Sequence, residues 1–251
     1  MPDNNQPRTS NPTLRPKVFQ NLPAAEGAEA MTMHGTVDKT GILLLLTFGA
    51  AAWTWSQFFS QGMQAVAPLM TLGALLGFVV ALVTVFKMNW SPVLAPAYAV
   101  LEGLFVGGLS AMLSARFAGV VFQAVGLTFG TLFVLLLAYR ARLIRATPNF
   151  VRGVVIATGG IMVFYLVDMV MGFFGHSISI INSASPWGIG FSVVVVIIAA
   201  MNLVLDFSFI EAAAEEGAPK YMEWYCGFSL MVTLIWLYLE ILRLLTKLNE
   251  R

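Results

Sequence analysis

Four carboxylates stand inside long apolar stretches of this chain: Glu102, Asp168, Asp206 and Glu240. Keeping such a group ionised in hydrocarbon costs about 2.5–3.5 kcal/mol on insertion scales, so it must face water, a partner or the inside of a helix bundle, or carry a proton. The chemistry open to it is proton binding and the ligation of hard cations through oxygen. Two acids held close cannot both ionise cheaply, and would share a proton and titrate in two separated steps. Arg243 follows Glu240 by three positions, which puts both on one helical face and makes a local ion pair the alternative for Glu240. Lys87 falls on the same expected side of the membrane as Asp206 and is its candidate counter-charge.

These residues need elements to hold them, and the composition says which. Hydrophobic residues make up 58% of the chain and charged residues 11%, against about 25% charged in an average soluble domain. A span takes about 20 mostly apolar residues, and by that measure helices are expected near 41–59, 66–86, 93–113, 119–139, 153–174, 187–209 and 227–248. The expected fold class is thus an all-α integral membrane protein with seven transmembrane helices, six with a re-entrant last segment being the alternative, a polar N-terminal segment over 1–38 and a transmembrane domain over 39–251. The lipid bilayer is its first partner. Short breaks between spans make sequential helices antiparallel neighbours. Gly73 with Gly77, Gly103 with Gly107, and Gly126 with Gly130 each stand four apart, which predicts close packing of the second, third and fourth helices.

Residues 1–30 hold no apolar core of signal-peptide type, and the segment is expected to be retained and poorly ordered. With the N-terminus cytoplasmic, the inner segments collect Arg8, Arg15, Lys17, Lys39, Lys87, Arg140, Arg142, Arg145, Arg152 and Lys220, and the outer ones only Arg116, Arg243, Lys247 and Arg251. Positive-inside bias therefore favours a multi-pass protein with its N-terminus in the cytoplasm.

Other chemistries fare poorly. A net charge of +1 gives no basic stripe for nucleic acid. One cysteine, Cys226, and two histidines, His34 and His176, lack zinc-ligand spacing. Gly188, Ile189 and Gly190 resemble half of an intramembrane aspartyl-protease signature, but Phe191 stands where the catalytic Asp belongs, and neither H-E-x-x-H nor G-x-S-x-G occurs. No enzyme and no cofactor are expected.

The last two helices, NLVLDFSFIE at 202–211 and WLYLEILRLL at 236–245, and LEGLFVGG at 101–108 resemble the Bax inhibitor-1/YccA family of membrane proteins. SNPTLRPKVF at 10–19 and MTMHGTVDKTG before the first span are similar to a bacterial YccA-like branch. The resemblance implies two three-helix layers around a central seventh helix, in a bacterial inner membrane. It also implies a pH-sensitive calcium leak, with protons and calcium as the ions handled. Asp206 falls on the first position of that family's proton-sensing carboxylate pair and Glu240 on the second, where Asp is usual. The family's closing arginine has no match here beyond Lys87, and Glu102 is a candidate pore or support carboxylate. Two other functions stay open: a non-transporting regulator of another membrane protein such as a membrane-bound protease, which YccA-like relatives suggest, and proton-coupled cation exchange.

Overall fold

The computed structural model describes residues 30–175, 178, 181 and 183–250. Most of the polar segment expected over 1–38 thus lies outside the described residues. Among those described, the chain forms seven long helices and no β-strand beyond one isolated bridge between Ala30 and Pro219. The helices are α1 (Met33–Gln61), α2 (Met63–Phe86), α3 (Ser91–Arg116), α4 (Val120–Arg140), α5 (Pro148–Phe173), α6 (Pro186–Glu215) and α7 (Met222–Asn249), with a short 3-10 turn over Met88–Trp90 before α3. All seven are long and apolar enough to cross a membrane. The fold is all-α with seven candidate spans.

Local chemistry sets the helix ends. Thr32 caps α1 by accepting from the Gly35 amide at 2.9 Å, and Thr147 caps α5 by accepting from Phe150 at 3.3 Å, with Pro148 in the first turn. A threonine oxygen there satisfies an amide the helix leaves unpaired, and Pro at that position loses no hydrogen bond. The Thr32 cap starts α1 at Met33, eight residues before the expected 41, in a stretch too polar for hydropathy to mark. Gly62 alone joins α1 to α2, at φ 81°, a left-handed conformation that favours glycine.

The chain divides into two compact units, whose boundaries fall inside α4, α6 and α7. The first comprises Gln123–Phe209 with Thr233–Arg251, and the second Pro23–Phe122 with Ile210–Val232.

Within the second unit α3 is the packing centre. A Cβ added at Gly103 would lie 2.5 Å from the Thr47 carbonyl oxygen of α1, and one at Gly73 would lie 2.5 Å from the Leu101 carbonyl oxygen of α3. Gly107 abuts Ala51 in the same way, and Gly77 sits against Glu102 and Leu101. Absent side chains let these backbones approach. The expected glycine packing therefore holds between α2 and α3, while Gly103 and Gly107 pack α3 on α1, which was not expected, and a Cβ at Gly126 or Gly130 of α4 meets nothing within 4 Å. Glycine spacing marks a smooth helix face, and the neighbour is set elsewhere. Large apolar side chains such as Leu75, Phe78, Phe86, Phe122 and Ile156 are exposed, as suits a surface solvated by lipid.

Candidate functional site

In the first unit, Glu240 and Arg243 stand one turn apart on α7, and the ion pair their spacing allows is formed. Arg243 Nη1 lies 2.9 Å from Glu240 Oε1 and 3.0 Å from Oε2. Tyr165 of α5 completes the group, donating its hydroxyl to Glu240 Oε1 at 3.0 Å and accepting from Arg243 Nη1 at 2.6 Å. Its ring also receives the guanidinium, 5.0 Å from the centroid. Glu240 is only 2% exposed, whereas the Arg243 side chain is 38% exposed. A buried carboxylate is thus satisfied by one cation and one hydroxyl, while the arginine keeps part of its surface outside. Removing one partner of a buried pair strands the other, which is costlier than the pair's own net worth.

One turn further along the same face is Lys247, buried, with Nζ 3.0 Å from the Gly188 carbonyl oxygen and 2.8 Å from Ser192 Oγ at the start of α6. This contact fixes the register of two antiparallel helices. Asp206 lies fourteen positions past Ser192 and Glu240 seven positions before Lys247, so at 1.5 Å per residue Asp206 sits about 10 Å beyond Glu240 along the axis. The hydrogen bonds of Glu240 include those to Tyr165 and Arg243, and this register sets Asp206 at a different level along the axis. The longer span of α6, which runs to Glu215, carries Asp206 deep into the protein, where it is 5% exposed, but at a different level. Two further polar groups of this unit serve structure. Asp168 Oδ1 accepts from the Ile178 amide at 2.7 Å, holding the connection after α5, and Asn202 Nδ2 donates to Thr158 Oγ1 at 2.8 Å, joining α6 to α5.

In the second unit, Glu102 lies on α3 with Oε2 3.3 Å from where a Gly77 Cβ would be. Lys87 terminates α2, its amide donating to Val83 at 2.8 Å; it and Asp206 belong to different units. The most elaborate polar contact here involves residues that hydropathy passed over. Glu223, 1% exposed in the first turn of α7, accepts at Oε1 from the Thr32 amide and hydroxyl, both at 3.0 Å, and from Lys220 Nζ at 3.2 Å. Its carboxylate rests against the Cα of Gly35. Two helix N-termini thus share one anion, which complements the positive end of each. Met31 donates to the Ala218 carbonyl at 2.7 Å beside the Ala30–Pro219 bridge, Ser91 Oγ donates to the Tyr221 carbonyl at 2.9 Å, and Lys39 lies over the Trp224 ring. The signals in the sequence were a threonine three residues before a glycine and an acid opening the last helix.

Among the described residues no three His, Cys, Asp or Glu side chains converge as metal ligands do. The arrangement offers protonatable carboxylates in apolar surroundings, one of them restrained by a cation. The family model described as Bax inhibitor 1 like matches residues 11–250 of the chain. No curated protein and no solved structure matches it.

Proposed function

From the premise that this chain belongs to the Bax inhibitor 1 like family, we propose that it is a proton-regulated cation leak, with calcium as the permeant ion and Glu240 as the group that senses protons. The observation that carries this reading is the Glu240, Arg243 and Tyr165 cluster, a buried carboxylate inside a span whose hydrogen-bonded cation, Arg243, sits on the same helix. Protonating Glu240 removes the charge that holds Arg243 and reverses the polarity of what Tyr165 must offer. The contact between α5 and α7 therefore differs in the two protonation states, and a bundle with two packings is biased by such a change. Asp206 is a second, separately titrating carboxylate in this scheme, and Glu102 a third. Oxygen-rich, flexible sites suit Ca²⁺.

Purified protein in calcium-loaded liposomes tests the proposal. Calcium efflux without any partner protein, changing across pH 5 to 8, is the expected result. An absence of flux across that range favours a regulator that binds another membrane protein, and stoichiometric proton counter-movement favours an exchanger.

We further propose a bacterial cell membrane, as the resemblance of the N-terminal segment to the YccA-like branch suggests, with the N-terminus cytoplasmic. The arginines at 140, 142, 145 and 152 cluster around the α4–α5 connection, and such clusters stay inside. A cysteine at Ala146 should be shielded from impermeant reagent added to intact cells while one at Ala184 reacts; the reverse pattern would refute this orientation.

A further inference from the structure

We propose that Glu102 is a proton-binding site in its own right, carrying its proton as a neutral carboxyl at mid-span on the face that α3 turns to α2. The placement comes first. Glu102 is eleven residues from the start of α3 at Ser91 and fourteen from its end at Arg116, about 16 Å and 21 Å along the axis. That is too deep for so short a side chain to snorkel to either interface.

Among the described residues of α1, α2 and α3, no cation stands at its level. α2, against which the carboxylate rests at Gly77, contains no Asp, Glu, Lys, Arg or His from Met63 to Phe86. α1 meets α3 at Thr47 and Ala51, and its charged residues His34, Asp38 and Lys39 all fall in its first two turns, more than one turn below that level. On α3 itself the neighbours are Tyr98, one turn away, and the distant Arg116; Lys87 ends α2 before α3 begins. From the end of α6, the connection after it and the start of α7 this unit contributes the acids Glu211, Glu215 and Glu216, and Glu223, whose carboxylate is engaged by Thr32 and Lys220. Among the described residues no hydrogen bond or ion pair reaches the Glu102 carboxylate.

The contrast with Glu240 and Glu223 is chemical. Those two acids are met by a cation and by hydroxyl or amide donors, which is how a protein keeps a buried carboxylate ionised. Glu102 is half-buried among apolar side chains and backbone with neither, and the neutral form is the one such a site holds. Glycine at 77 leaves room for the carboxyl where any side chain would crowd it.

A lipid-soluble carbodiimide tests this directly, because it reacts with protonated carboxyls in apolar surroundings. The acid adds across one C=N bond: its oxygen bonds to carbon, its proton goes to nitrogen, and rearrangement gives a stable N-acylurea that contains the whole reagent. Peptide mapping of the protein in lipid should find the adduct at Glu102, formed several-fold more slowly at pH 9 than at pH 6 and lost in Glu102→Gln. Glu223, held by Thr32 and Lys220, should remain unmodified. A glutamate placed at Leu75, 62% exposed on α2, reports reagent access. An infrared carbonyl band of a protonated acid, shifted in D₂O and missing in Glu102→Gln, gives a second reading that needs no reagent. An unmodified Glu102 beside a modified Leu75→Glu, or infrared spectra that do not differ between wild type and Glu102→Gln, would overturn the proposal. The inference deepens the leak reading, but both measurements are independent of flux, so either can fail without the other.

Discussion

Gly35→Ala is expected to lower stability by about 3 kcal/mol, the loss appropriate to charge-assisted hydrogen bonds that leave a buried carboxylate stranded. A methyl group on Gly35 would occupy the space of the Glu223 carboxylate itself. Glu223 must then withdraw from the Thr32 amide and hydroxyl, and both α1 and α7 lose the anion at their N-termini. For a chain of this size that corresponds to a fall in Tm of roughly 6–12 °C, readable by tryptophan fluorescence in detergent. Gly41→Ala and Gly126→Ala are the controls, because a Cβ at either meets nothing within 4 Å; they should be neutral or slightly stabilising, as Ala is the better helix former. If the clash is the cause, Gly35→Ala combined with Glu223→Ala will be no worse than Glu223→Ala alone, a non-additivity expected of residues in contact. An unchanged Tm in Gly35→Ala would mean that the clasp between Thr32 and Glu223 does not hold α1 in place.

The second large effect belongs to Arg243→Met. It leaves Glu240, 2% exposed, with Tyr165 as its remaining partner, and breaking a buried pair from one side costs about 3–5 kcal/mol. The lower end applies, since Arg243 is 38% exposed and part of its interaction is screened. Glu240→Gln should cost less, because the arginine left behind can turn its exposed surface outward. The double variant should recover most of what Arg243→Met loses. Equal Tm values for Arg243→Met and wild type would show that the pair is not holding the first unit together.

How much of this could be read from the residues alone differs between elements and site. All seven spans were legible, since an apolar run of about 20 residues has few other uses, but their ends were not. α6 continues past its apolar run through Glu211 to Glu215 because Ala212, Ala213 and Ala214 favour helix, and it stops where Gly217 turns left-handed at φ 66°. α7 starts at Met222, five residues before the expected 227, because Glu223 belongs to its first turn. Spacing along one helix predicted the contact of Glu240 with Arg243. Contacts between helices need a register, which one sequence does not state; the family resemblance alone pairs Asp206 with Glu240, and nothing in the sequence points to Tyr165. A tyrosine within a span has no periodicity or charge to single it out. Glycine spacing carried the same ambiguity, packing α1, α2 and α3 while leaving Gly126 and Gly130 open.

The register also separates two versions of proton sensing. Carboxylates that share one proton act as a unit, so Asp206→Asn, Glu240→Gln and their double variant would behave alike. Groups about 10 Å apart along the axis, by the helix rise, with Glu240 engaged by Arg243 and Tyr165, should instead give nearly additive changes. The most direct measurement is the calcium efflux of liposomes containing wild type or Glu240→Gln between pH 5 and 8. Wild-type efflux should change across that range. Glu240→Gln, which is neutral at that position at every pH, should lose most of the wild-type change and stay near the acid limit of wild type. Wild-type pH dependence persisting in Glu240→Gln would contradict Glu240 as the sensor.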